Sequence, residues 1–151
     1  MGYRVAVLMG SPNDGDKMAP AAATLERYGI DADVRVMSAH RSPKLVSEFV
    51  SGAREAGYQA IICGAGMAAH LAGAVAAQTT LPVIGVPLSG GAINGWDSLL
   101  ATVQMPKGIP VATVAVDGAM NAALLVVQML GISDPRLVAE LEAHRAEMVP
   151  K

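Results

Sequence analysis

Ser38-Ala39-His40-Arg41 places a hydroxyl, an imidazole and a guanidinium within four residues. With an unperturbed pKa of about 6.5, a histidine can both give and take a proton near neutral pH. The neighbouring guanidinium stays charged and suits a phosphate or a carboxylate. The quartet therefore combines a proton shuttle with an anion anchor. The plainer alternative is a surface turn with a capping histidine and a solvated arginine. The quartet directly follows the apolar run Val34-Arg35-Val36-Met37, which reads as a strand, and precedes a Ser42-Pro43 helix opening. That tandem placement at a strand's carboxyl end favours chemistry.

Two further loops carry candidate groups. Gly10-Ser11-Pro12-Asn13-Asp14-Gly15 follows another short apolar run. Free backbone N–H groups at a helix start can hold a phosphate, and Ser11 and Asn13 add side-chain donors. Asp14 would repel a phosphate, so its functional task would be to accept hydrogen bonds from sugar hydroxyls. Simple helix capping explains Ser11, Asn13 and Asp14 equally well. The loop is neither a G-x-G-x-x-G turn nor a P-loop with its lysine, which weakens nicotinamide and ATP readings. Gly64-Ala65-Gly66-Met67-Ala68-Ala69-His70-Leu71 is built of small residues that let a planar ring lie close to backbone amides. His70 reads as about one turn into a following helix, where a structural role competes with a functional one.

Other reactive side chains attract blander readings. Cys63 is the one cysteine and has no base beside it in sequence, so it reads as a buried, inert thiol. His144 lies among charged residues of a terminal helix and reads as solvated. The three histidines are too dispersed for an obvious metal site. Gly90-Gly91 and Asn94-Gly95-Trp96-Asp97-Ser98 could form a mobile flap, with Trp96 in core or interface packing. The nine methionines read as core or interface filler.

Strands and helices must alternate to position these loops. The strands are read at 5–9, 34–37, 60–63, 82–86 and 111–116. The helices are read at 16–28, 43–56, 67–78, 96–103, 121–130 and 136–148, from their apolar spacing and Gly, Pro and Ser/Asp boundaries. Pro43 stands early in its helix, where its missing N–H costs nothing. Short, continuously apolar strands alternating with helices imply a parallel sheet covered on both faces. The expected fold is a three-layer α/β sandwich of flavodoxin-like strand order 2-1-3-4-5, with an extra C-terminal helix at about 134–148. Ligands of such sheets sit beyond the strands' carboxyl ends, where all the candidate loops fall.

The 151 residues suit one catalytic domain spanning 1–151. Charged residues are 16% of the chain and hydrophobic ones 52%, against about 25% charged in an average soluble domain. The apolar excess implies strands buried on both faces and subunit faces hidden against copies, with the C-terminal helix a candidate for packing on a neighbour. A net charge of −2 opposes nonspecific nucleic-acid binding, which needs a basic footprint. No polybasic patch or apolar run of membrane-spanning length suggests a membrane partner. A lone cysteine and the absence of a signal-peptide layout suggest the cytoplasm.

The strings MGSPNDGDKM, VMSAHRSP, GAGMAAHLAGAVAAQT, LPVIGVPL, DSLLATVQMPKGIPVATVAV and NAALLVVQML stand in this order. Together, over residues 4–131, they resemble the PurE family of N5-carboxyaminoimidazole ribonucleotide mutases of purine biosynthesis. The resemblance implies a flavodoxin-like homo-octamer working without cofactor, metal or ATP. It implies an isomerase that moves a carboxylate from the exocyclic nitrogen of the substrate to carbon 4 of its imidazole. His40 matches the family's acid/base. Ser11 and Arg41 match phosphate contacts, Asp14 the ribose contact, and Ser38 a contact to phosphate or the migrating carboxylate. Asn13 replaces a serine of the family's first loop and could still donate. Gly64, Ala65, Gly66, Ala69, His70 and Leu71 match the wall of the ring and CO2 pocket. Gly15 stands for the usual tryptophan, Met67 for glycine and Ala72 for proline. A sister class carboxylates aminoimidazole ribonucleotide directly with CO2, but its second loop reads A-G-R-S-N-A-L-S-G, unlike GAGMAAHLAG. The remaining alternative is a ribonucleotide-binding homologue without turnover.

Overall fold

The computed structural model describes residues 2–150. The elements run β1 (Arg4–Met9), a 3-10 turn (Pro12–Asp14), α1 (Gly15–Arg27), β2 (Asp31–Val36), α2 (Pro43–Ala53), β3 (Ala60–Gly66), α3 (Leu71–Ala76), β4 (Val83–Leu88), α4 (Trp96–Val103), β5 (Ala112–Thr113), α5 (Ala119–Gly131) and α6 (Pro135–Glu147). The sheet has five strands in the expected order, β2-β1-β3-β4-β5, all paired in parallel.

Successive strand residues point to opposite faces, so continuously apolar strands feed two cores. Val5, Val7, Ile62, Ile84 and Val86 meet Met18 and Leu25 of α1, Ala122 and Val126 of α5, and Leu137 of α6. Ala6, Leu8, Ile61, Cys63 and Val83 meet Val46 and Val50 of α2, and Leu71 and Val75 of α3. Burial pushes the Cys63 thiol far above its ordinary pKa, leaving it protonated. The terminal helix is capped by Asp134, whose carboxylate accepts from Arg136 N at 3.0 Å. It docks on α5 of its own chain through the fully buried Leu137.

Several boundaries differ from the sequence reading. β2 starts at Asp31 and ends at Val36, and Met37 belongs to the exit turn. β2 is an edge strand, so Val34 and Val36 are half exposed and the apolar run marks its position poorly. Its charges are organised instead. Asp33 pairs with Arg35 at 2.9 Å and Arg4 at 3.3 Å, Tyr58 donates its hydroxyl proton to Asp33, and Arg35 lies over the Phe49 ring. Arg35 above all holds the Asp33 carboxyl below its ordinary range. The stability this contributes is present above the ordinary carboxylate pKa and is lost as pH falls through the lowered value.

β3 continues through Gly64-Ala65-Gly66, because residues without bulky side chains still pair by backbone: Gly66 stands opposite Leu88 of β4. α3 begins only at Leu71, since Met67 takes a left-handed φ of 48° that no helix tolerates. His70 is therefore the N-cap rather than a residue inside the helix. α2 stops at Ala53, ahead of the left-handed Gly57. β5 shrinks to two residues. The Pro87 carbonyl of β4 accepts from Asp117 N at 2.8 Å, so its nitrogen faces the same edge and has no hydrogen to donate.

Gly85, central in β4, marks a close approach of helix to sheet. A Cβ there would overlap Thr102 of α4, lie 2.9 Å from Val111 Cγ1 and 3.4 Å from Ala72 Cβ. Gly85→Ala is expected to destabilise the fold by about 1–3 kcal/mol, read as a lower urea midpoint at unchanged slope.

Candidate active site

The carboxyl ends of β1, β2 and β3 open into one pocket of about 360 Å³. Two backbone bonds extend the strand pairing into its floor: Met37 N donates to Met9 O at 2.9 Å, and Gly10 N to Gly64 O at 3.2 Å. Ser11, Asn13, Asp14, Ser38, His40, Arg41, Ala65, Gly66, His70 and Leu71 all line the pocket, as the sequence reading expects. Gly64 and Ala69 do not line it. A Cβ on Gly64 would overlap the Met18 thioether, so this glycine serves helix packing and holds Gly10. Ala69 is buried beneath the loop. Gly10, Ala39, Met67 and Ala68 complete the lining.

The two serines are used alike. Ser11 Oγ accepts from Asn13 N at 3.2 Å, and Ser38 Oγ accepts from Arg41 N at 3.1 Å. Each turn takes a lone pair and leaves the O–H to donate to an anion. Ser42 fastens the quartet further: its N–H and its hydroxyl both donate to Ser38 O, at 2.9 and 3.1 Å. Arg41 is exposed and forms no ion pair among the described residues, whereas Arg4, Arg27, Arg35 and Arg136 all do. An uncompensated guanidinium sharing a pocket with two hydroxyl donors is a phosphate-type site.

Asp14 stands at the N-cap of α1 but makes no side-chain cap bond. That removes capping as the reason for its carboxylate. Its partial burial raises its pKa, opposed by the Ser11 backbone bond and the Lys17 charge.

His40 does not stand alone. Its Nε2 lies 2.7 Å from Nδ1 of His70, with the rings edge to face at 78°. One ring donates and the other accepts, so a proton on His40 has a partner within the protein. Thirty residues separate the two in sequence, and the pairing of β1 with both β2 and β3 brings their loops together. The arrangement can bind an anion, receive a polyol on Asp14 and move one proton over a small-walled floor.

A second cluster borders the pocket. Lys17 Nζ donates to Ser89 O at 2.6 Å and Oγ at 3.0 Å, while Ser89 N and Oγ donate to Asp117 at 2.9 and 2.5 Å. Burial works against the Asp117 carboxylate, but the Ser89 bonds and the Lys17 charge outweigh it and lower its pKa.

A family model described as AIR carboxylase matches residues 4–151. The chain is 56% identical over 142 residues to a Mycobacterium tuberculosis protein named N5-carboxyaminoimidazole ribonucleotide mutase, covering 94% of this chain and 82% of the relative. A Pyrococcus abyssi protein of the same name is 50% identical over 145 residues, covering 96% and 83%. The crystal structure of Treponema denticola PurE superposes with a TM-score of 0.87 at 25% identity, covering 96% and 90%.

The raised Asp14 pKa carries a sign. The folded chain holds that proton to higher pH than the unfolded chain, so stability falls as pH rises from the ordinary value through the raised one. The penalty then stays constant at neutrality. Asp14→Asn is therefore expected to raise the denaturation midpoint slightly at pH 7, which calorimetry at pH 7 checks.

Proposed function

The chain belongs to the AIR carboxylase family, and on that footing we propose that it is an N5-carboxyaminoimidazole ribonucleotide mutase, an isomerase of purine biosynthesis. The observation that carries the reading is the His40 ring set in one pocket with Arg41, Ser11 and Asp14. Arg41 and the Ser11 and Ser38 hydroxyls take the ribose phosphate, with Ser38 also within reach of the migrating carboxylate. Asp14 accepts from the ribose hydroxyls, and Asn13 adds a donor at the mouth. Ala65, Gly66, His70 and Leu71 wall the ring.

The chemistry needs one proton and no net change in protonation. The bond between the exocyclic nitrogen and the carboxylate breaks, its electron pair stays on nitrogen, and CO2 is freed. His40 gives its proton to that nitrogen. Carbon 4 of the electron-rich ring then attacks CO2, and His40 takes back the proton from carbon 4. Holding ring and CO2 together replaces an encounter in solution, an advantage worth up to roughly 7–11 kcal/mol in well-oriented systems. His70 gives the travelling proton a second resting place 2.7 Å away.

The working unit in this proposal is a homo-octamer. On α4, Trp96, Leu100 and Val103 remain exposed at 64%, 52% and 46%, one stripe of a helix whose other face covers β4. We assign that stripe to a neighbouring subunit. A cytoplasmic setting belongs to the same reading. The structure itself shows, among the described residues, no helix long and apolar enough to cross a membrane.

Purified protein given N5-carboxyaminoimidazole ribonucleotide alone is expected to form the C4-carboxylated product. Turnover only from aminoimidazole ribonucleotide and CO2 would point to the direct carboxylase, and binding without turnover would remove the enzyme reading. His40→Asn should lower kcat by roughly 10²–10⁴-fold or more with binding retained. Leu100→Asp should shift the sedimenting species to a smaller assembly, and an unchanged species would clear α4 of that contact.

A further inference from the structure

The loop between β4 and α4, residues 89–95, is fixed at both ends and bare in the middle. Ser89 is clamped by Lys17 and Asp117. At the other end a Cβ on Gly95 would lie 3.3 Å from Ser89 Cα and 2.9 Å from Val116 Cγ1, so the ends close on each other. Between them the backbone takes positive φ at Gly90, Gly91 and Asn94 (143°, 65° and 52°). The tip reaches the pocket rim at Met67. A Cβ on Gly91 would lie 3.2 Å from Met67 Cγ and 3.3 Å from Sδ.

Met67 is an odd residue for that rim. It is one of only three non-glycine residues with positive φ among the described residues, a conformation that costs a side-chain-bearing residue energy. It lines the pocket yet stays 60% exposed, so core burial does not offset that cost. Glycine would hold the same backbone without strain. A long, flexible thioether is adaptable apolar filler.

We propose that Met67 and the 89–95 loop form a lid on the pocket, in which the Met67 side chain covers the reacting ring and retains CO2 between the two half-reactions. This rests on the mutase reading above. CO2 carries no charge, so no ion pair can grip it. Only walls keep it beside carbon 4, and Met67 is the apolar lining residue that stands against Gly91 of the loop. The Lys17–Ser89–Asp117 clamp fixes the lid's root, and Lys17 also acts on Asp14, so the ribose contact and the lid share one cation. When CO2 escapes before carbon 4 attacks, the nitrogen keeps its proton and free aminoimidazole ribonucleotide is left behind. The quality of the lid is therefore a partition ratio.

The test compares wild type, Met67→Gly, Met67→Leu and Gly91→Ala. Each receives N5-carboxyaminoimidazole ribonucleotide in 13C-bicarbonate with carbonic anhydrase present. Free aminoimidazole ribonucleotide and 13C in the product carboxylate are measured per turnover. Met67→Gly suits the left-handed backbone, so its thermal midpoint should match or exceed wild type. Its free aminoimidazole ribonucleotide and label incorporation per turnover should rise several-fold. Met67→Leu should restore most of the retention. Gly91→Ala, which crowds Met67, should leak as Met67→Gly does. A Met67→Gly enzyme with wild-type partition and label content overturns the inference and leaves the mutase reading standing. A wild type that already exchanges its carboxylate fully overturns the inference in the same way. A wild type forming no product from the carbamate overturns the mutase reading itself, and the inference with it.

Discussion

Everything at this site hangs on how far strand pairing runs past the strands. A parallel sheet sends each chain out at the same edge, but the exits normally diverge. Here Gly10 N to Gly64 O and Met37 N to Met9 O continue the register by one more step. The first turns of three loops are thereby placed by the same hydrogen-bond spacing that orders the core. His40 meets His70, and Ser11 and Arg41 line one pocket, because β1 lies between β2 and β3 and the pairing does not fray. Glycine at position 64 is part of this: the Met18 side chain occupies the space a Cβ would need.

The fold was legible because its signals were redundant. Apolar runs, glycine breaks and helical spacing agreed over most of the chain, and five strands in the order 2-1-3-4-5 followed. Legibility failed where residues are small or where an element sits at an edge. Gly64-Ala65-Gly66 looks like a loop in sequence, since pattern reading relies on side chains and the pairing there is backbone alone. β2 lost its apolar signature to solvent exposure, and β5 was shortened by the missing donor of Pro87. The site was legible as far as local runs reach. The quartet at 38–41 and the loop at 10–15 do share a pocket, but the His40–His70 contact spans a separation that no local pattern encodes. Gly64 and Ala69, which the family resemblance assigns to the pocket wall, pack beneath the lining.

The rim of the sheet also gathers the chain's unfavourable local choices. Asp14 is partly desolvated without a capping bond, and Met67 and Asp117 hold left-handed backbones. Away from the rim the chain looks optimised: Asp33 is surrounded by two guanidinium groups and a phenol, and Leu137 is sealed under α5. Concentration of strain at one edge, against a relaxed scaffold, is the pattern expected when local stability yields to function.

The burial of Cys63 has a practical side. With its thiol enclosed between β3 and the α2–α3 layer, and kept protonated by that enclosure, the chain presents no reactive sulfhydryl to solvent among the described residues. A cysteine introduced at Ala92, on the exposed tip of the 89–95 loop, would be the single target for a maleimide dye or a spin label. The native background is thus already suited to site-directed spectroscopy, and the 89–95 loop can be labelled without first stripping the protein of its own thiol.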